Sequence, residues 1–384
     1  MKNIIKNNKL KLFIQEIILF ISSINILNEI KNINPKFIFF SEDKSYQKYS
    51  RSIIDIICSK YPDKIYYLSI HKDDFIQDKN IKNFYISPFL LKFFFNNVKA
   101  DNLFLTLTDL GNHFINKTKN IRNYIYYFHS PISTTKSYTP KAFDNYDVIM
   151  CNGQFQINEI KSREEFKNLK KKKLIPTGYF YFDHLIENIS FDTKGDYILI
   201  APSWNKNAKH LINENFIELI DVLLKKNFKV IFRPHPEHFK RSKIILDKIK
   251  ANFISEAFCF DEDFENIKSM EKSRCLITDN SGIAIEYMIA LKKPVLYLNE
   301  IDKIHNSEFQ DYAKLKTIDQ TIKEKFGYIF DNSDFQQIEV IIKNSEDNFN
   351  KKLTDLEILI SKNYFNLGKT KDFLSSNLSS VILN

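Results

Sequence analysis

Residues 275–298, CLITDNSGIAIEYMIALKKPVLYL, constrain the fold of this chain more than any other stretch. The apolar run 275–278, the polar tetrad Asp279, Asn280, Ser281 and Gly282, the apolar run 283–291 and the closing run 294–298 predict a strand, a turn, a helix and a second strand. That order belongs to a parallel sheet, with the turn outside the carboxyl ends of the strands. There the first N–H groups of the helix lack partners and the helix dipole is positive, so an anion is expected at the turn. Ser281 is suited to cap the helix, and Gly282 lets a phosphate approach the backbone. Glu286 is the one charged residue of the helix and stands five positions beyond Ser281, roughly 7 to 8 Å along the axis. That reach matches the separation of a nucleotide's phosphates from its ribose hydroxyls, and a carboxylate in an apolar helix needs a partner. On this stretch alone, a plain capped sheet unit with a satisfied glutamate stays open.

With 384 residues the chain has material for two domains of ordinary size. Its net charge of +9 is spread along the sequence. The densest basic run, Lys170 to Lys173, has no interleaved aromatics, so no nucleic-acid partner is expected. The charge does suit an anionic membrane surface or a polyanionic substrate. Cys58, Cys151, Cys259 and Cys275 are scattered without a C-x-x-C pair, and reduced thiols in a cytosolic protein are expected. Near the amino terminus the apolar run 17–27 is too short to cross a bilayer, which takes about 20 residues. A helix here, with Lys6, Lys9 and Lys11 beside Phe13, Ile17 and Phe20, either lies on a membrane surface or packs on the first domain.

Further strands are predicted at 37–40, 65–70, 103–107, 124–128 and 147–151, with helices at 53–59, 83–97 and 154–172. The polar segment 187–196 reads as a boundary, after which strand, helix, strand and helix alternate again from Tyr197. The remainder after residue 304 is helical by periodicity. The expected architecture is α/β: a leading helix over 1–36, a Rossmann-like half over 37–190, and a second such half with carboxyl-terminal helices over 191–384, facing a central cleft.

Two histidines stand at predicted strand ends. In RPHPEH, residues 233–238, prolines on both sides fix the direction of His235, and Arg233 could fork onto a phosphate. His129 follows YIYYF and precedes Ser130 and Pro131; a neutral imidazole there could take a proton from an acceptor hydroxyl. Either could instead be structural. The triplet Asp261, Glu262, Asp263 has D-x-D spacing but precedes a predicted helix, where acidic residues are favoured anyway, so neither a metal nor another cofactor is expected. LGKT at 367–370 lacks the glycine-rich loop of an NTPase.

Taken together, these segments resemble the CDP-glycerol glycerophosphotransferase family of teichoic-acid primases and polymerases, which have two Rossmann-like halves of the GT-B type. FFSEDKSYQKYS is similar to the family's early strand and loop, and FHSP stands at its His-Gly-Thr-Pro motif. PTGYFYFDHL, LIAPSW, RPHP and TDNSGIAIEY resemble later family motifs, in order, across residues 37–300. The resemblance implies that His129 and His235 form the catalytic pair, with Arg233, Ser203, Ser281 and Gly282 near a nucleotide diphosphate and Glu286 near ribose. Ser130 and Asp279 take supporting roles. It further implies a CDP-activated donor, a glycan or lipid-linked acceptor, and a place in the cytoplasm on the inner face of the membrane. The chain departs from the family pattern where Ser130 replaces Gly, Gly282 replaces the second Ser, Glu286 replaces Asp, Phe180 and Tyr181 stand at Pro-Arg, and Asn205 stands where Arg often follows Trp. The missing arginines leave two alternatives: a GT-B glycosyltransferase using a UDP- or CMP-sugar, and a non-catalytic glycan- or partner-binding protein.

Overall fold

The computed structural model describes residues 2–108, 110–111, 115–189, 195–204, 212, 214–263, 265–298, 304–312 and 316–382, with side chains from residue 17 onward. Thirteen described strands form two sheets. The first contains β1 (Phe37–Ser41), β2 (Ile65–Ser69), β3 (Ile81–Tyr85), β4 (Ala100–Leu105), β5 (Ile121–Tyr127), β6 (Val148–Met150) and β7 (Lys173–Ile175), in the order β3-β2-β1-β4-β5-β6-β7. The second contains β8 (Tyr197–Ile200), β9 (Lys229–Phe232), β10 (Phe258–Phe260), β11 (Ser273–Thr278), β12 (Val295–Leu298) and β13 (Tyr328–Phe330), in the order β10-β9-β8-β11-β12-β13. Every pairing in both sheets is parallel. The strand order reverses between β1 and β4 and again between β8 and β11, and the ends of these strands are where an open α/β sheet binds ligands.

Strands buried on both faces read as continuous apolar runs, and Phe37–Ser41 and Val295–Leu298 are buried throughout. Two strands differ from the expected pattern. Residues 81–85 run beside β2 at the sheet edge although a helix is expected from 83, and Asn83 trades side-chain bonds with the backbone N–H and C=O of Ile76 at 2.9 and 2.8 Å. Residues 328–330, within the region expected to be helical, add the other edge strand beside β12. The helix expected over 154–172 ends at Phe166, and the lysine run leads into β7.

The leading helix, Lys2–Ile33, anchors its final turns in the first core through Ile26, Leu27 and Ile30. Ile17, Ile18, Phe20 and Ile21 remain exposed, while the side chains of Lys6, Lys9, Lys11 and Phe13 lie outside the described residues. Among the described residues, no helix is long and apolar enough to cross a membrane.

The last helix, Thr370–Val381, does not pack where the expected boundary put it. Leu374, Leu378 and Val381 join Phe37, Ile53 and Tyr127 in a core of the first half, and burial of each contributes about 1.5–3 kcal/mol. Helix Phe180–Asn188 spans both halves, with Phe180 in that core and Tyr181, Phe182 and Leu185 against helix Gly282–Leu291. We propose a division in which 370–381 belongs with 37–190, so that the chain crosses between halves twice.

Candidate active site

The second half contributes the ends of β8, β9 and β11, tied together by side chains. Asp279, 2% exposed after β11, accepts from the backbone N–H of Ser203 at 2.8 Å and from its hydroxyl at 2.6 Å. His238, also 2% exposed, donates from Nε2 to the Ser203 carbonyl at 2.8 Å, with Ser242 Oγ 3.1 Å from Nδ1. Burial holds the His238 imidazole below the ordinary histidine range. These bonds lock the segment after β8 to the turn after β11. Ser203, expected near the diphosphate, is 1% exposed, and in this geometry its hydroxyl is bonded to Asp279.

Arg233 leaves β9 with its Nη1 2.6 Å from Asp261 Oδ2. Each acidic residue of the D-x-D triplet has a local duty. Asp261 orients Arg233, Glu262 pairs with Lys250 at 2.7 Å, and Asp263 accepts the Glu265 N–H at 3.2 Å. Among the described residues, no group of His, Cys, Asp and Glu is arranged to hold a metal ion. His235 precedes Pro236 at the first position of helix Pro236–Arg241, and its Nδ1 accepts the Glu237 N–H at 3.2 Å. A neutral ring bonded this way carries its hydrogen on Nε2, on an exposed side chain.

Ser281 occupies the cap position of helix Gly282–Leu291, but its side chain makes no capping bond, contrary to expectation. Lys323 reaches Asn280 Oδ1 at 3.0 Å. With Lys136, Ser281, Ile132 and Asp319, these residues line a crevice between the halves. Gly282 lies close to the other half: a Cβ on it would lie 2.3 Å from Ser130 Oγ, which would have to rotate away. The two departures from the family pattern thus face each other, one from each half.

In the first half, His129 follows β5, and its ring centroid is 5.3 Å from that of Tyr46 and 6.2 Å from those of Tyr49 and Tyr138. The loop beyond it is fixed by its carbonyls. Those of Ser130, Pro131, Ile132 and Thr135 accept from Asn152, Tyr364, Gln156 and Asn306 at 3.1, 2.9, 3.0 and 2.6 Å. Ser133 N–H donates to Asp319 of the other half at 3.0 Å, and Ser133 and Thr134 both donate to Glu159. Burial raises the Glu159 carboxyl to about 7 despite these donors.

Glu286 is 5% exposed and accepts from Tyr179 at 2.7 Å, while the same hydroxyl lies 3.1 Å from the His129 carbonyl oxygen. The expected ribose ligand is therefore bonded, in this geometry, to the segment leading out of the first half. Burial raises its carboxyl above the usual range, opposed by Lys48, Tyr179, Asn266 and Arg233.

Sequence reasoning gave no site role to Lys48, Tyr49, Tyr179, Tyr181 or His238. Lys48 Nζ lies 4.8 Å from the Tyr181 ring centroid and 5.2 Å from that of Tyr49, and Tyr49 packs against Tyr179 at 6.1 Å. Their spacing carried no signal, because the cluster forms only when residues from both halves meet. Asn205 lies outside the described residues.

Two parallel α/β halves, with strand ends from each walling a shared cleft, define the GT-B class of fold. Residues 25–354 match the family described as CDP-Glycerol:Poly(glycerophosphate) glycerophosphotransferase, and the chain belongs to that family. The minor teichoic acid biosynthesis protein GgaB of Bacillus subtilis (strain 168) is 25% identical over 229 residues, which are 51% of this chain and 23% of GgaB. The chain thus matches about a quarter of that curated relative's length. A structure of the wall teichoic acid polymerase TagF soaked with CDPG has a TM-score of 0.61 at 14% identity, covering 98% of both chains. The UDP-GlcNAc 2-epimerase of Methanocaldococcus jannaschii has a TM-score of 0.54 at 15% identity, covering 90% of this chain and 99% of that one. These structural likenesses show the shared fold.

Proposed function

We propose that this chain transfers glycerol phosphate, or a similar polyol phosphate, from a CDP-activated donor to a hydroxyl of a cell-surface glycan or lipid-linked acceptor. Family membership supplies the donor class. The observation that carries the reading is that polar groups of both halves meet at the strand ends: Lys136 and Lys323 flank the helix amino terminus, Lys48 is within electrostatic reach of Arg233 and Glu286, and His129 packs on Tyr46 beside Lys48. In this reading the donor's diphosphate meets the turn at Ser281 and Gly282, where unpartnered N–H groups and the helix dipole favour negative charge. His129 takes the proton of the acceptor hydroxyl as its oxygen bonds to the donor's outer phosphorus. The bond from that phosphorus to the bridging oxygen breaks, and CMP leaves with the electron pair. His235, with its hydrogen on Nε2, donates to the leaving phosphate, and no metal takes part. Asp279 supports the site by holding Ser203.

Release of CMP from CDP-glycerol by the purified protein, in the presence of a lipid-linked or oligosaccharide acceptor, tests this directly. No release, with turnover of a UDP- or CMP-sugar instead, replaces it with the glycosyltransferase reading. We further propose that the protein works at the inner face of the membrane. The exposed Ile17, Ile18, Phe20 and Ile21 and the net charge of +9 support this. The protein should float with anionic vesicles and lose that behaviour in a variant with serine at those four positions.

A further inference from the structure

We infer that Lys48 grips the phosphoryl group in transit, donating from the acceptor side of the cleft to its non-bridging oxygens. Four observations lead there. Lys48 lies in the segment that follows β1, at the point where the order of the first sheet reverses. Its neighbours Tyr46 and Tyr49 are the residues that pack against the His129 ring, so its ammonium and that imidazole share one aromatic wall. The ammonium lies over two rings and makes no hydrogen bond or ion pair among the described residues, which leaves three strong donors uncommitted in a half-buried setting. Finally, the charges around it come from the other half. Glu286 and Glu265 attract it and Arg233 repels it, while Glu286 is already bonded to Tyr179 and Arg233 to Asp261.

Lys48 and Arg233 repel one another across the cleft, and although Glu286 acts on Lys48 more strongly than Arg233 does, its carboxylate is bonded to Tyr179, so the three donors of the ammonium stay open to a further acceptor. Lost hydration pushes the Lys48 ammonium down to about 8 against the pull of Glu286, the larger of the charge effects, with Arg233 adding to the shift. At neutral pH it remains mostly charged, fit to donate rather than to act as a base. A phosphoryl group answers all three features. It accepts several hydrogen bonds, its charge relieves the repulsion, and it must pass between the Arg233 strand end and His129 for transfer to occur. The identity of this anion as the transferred phosphoryl group rests on the proposed function; the presence of an anion-binding ammonium does not.

CDP and CMP differ by the phosphate that stands for the group in transit, so calorimetric titration of both into the full chain isolates the role of Lys48. The unsubstituted protein should bind CDP more tightly than CMP. Lys48→Met should cut CDP affinity by about 10- to 100-fold while CMP affinity stays within about twofold, and Lys48→Arg should keep most of the CDP preference. Lys44→Met, removing an exposed charge of the same segment, should change neither. Should Lys48→Met fail to fold, Lys48→Gln against Lys48→Arg makes the same comparison. A CDP-to-CMP ratio unaltered by the neutral substitution overturns the inference, and so does an unsubstituted protein with no CDP preference. Absence of CMP release from CDP-glycerol alongside a Lys48-dependent ratio overturns the proposed donor and leaves Lys48 standing. Normal release with an unaltered ratio does the reverse.

Discussion

His129 and His235 each follow a strand end, one in each sheet, and they are held in different ways. His129 is half-buried among the rings of Tyr46, Tyr49 and Tyr138, so its position depends on shape and on residues distant in sequence. His235 is exposed, and its direction is set locally by two prolines and the Glu237 N–H. Around it the second half is braced by hydrogen bonds: Ser203 to Asp279, His238 to Ser203, Arg233 to Asp261. Around the two imidazoles themselves, one wall of the cleft is thus packed and the other wired, although the loop beyond His129 is hydrogen-bonded as well. A packed wall can shift by small steps as rings slide, whereas a wired wall keeps its geometry until a bond breaks.

The widest contrast should be in catalysis. His129→Ala, removing the acid–base group, should lower CMP release by about 10²–10⁴-fold, and His235→Ala, removing a donor to the leaving phosphate, by about 10²–10³-fold. A larger loss at His235 would exchange the two roles. Next comes the wired wall: Asp279→Asn weakens the acceptor for both Ser203 donors and should cost about 1.5–3 kcal/mol in urea unfolding. The packed wall should lose less, with Tyr49→Leu removing ring contacts for about 0.5–1.5 kcal/mol by the same measurement. If Tyr49→Leu proves the costlier, the distinction between the walls fails.

The smallest effect is one of pH. The folded His238 holds its proton less readily than the unfolded residue, whose pKa is about 6.5. Its contribution to stability is therefore fully present above that value and is lost as the pH falls below it, because the unfolded chain takes up a proton that the folded one refuses. Urea midpoints followed downward from pH 7.5 should fall more steeply for the natural chain than for His238→Gln. Parallel lines would remove His238 from the acid response.

The same contrast explains what could be read from the sequence. The strand, turn and helix of residues 275–291 were legible because periodicity and local turn chemistry specify them, and helix Glu214–Lys225 was legible because its apolar stripe is regular. The two α/β halves and the family followed from motifs of this kind. β3 was hidden because IKNFY alternates poorly and owes its extended form to β2 and the Asn83 bonds. The bond from the Ser203 hydroxyl to Asp279 was hidden because the two residues lie on different strands, far apart in the chain. Lys48 was silent for the opposite reason, since the partners that give it meaning lie far along the chain. Wiring in the second half is largely local or strand-end chemistry, while packing in the first half is tertiary.

Helix Thr370–Val381 carries a consequence for how the molecule is made. Its apolar face completes a core built by residues 37–180, yet it emerges from the ribosome only after the whole second sheet. During synthesis the first half must wait with Phe37, Ile53 and Tyr127 incompletely covered while its neighbour folds, so the second half has the opportunity to finish first.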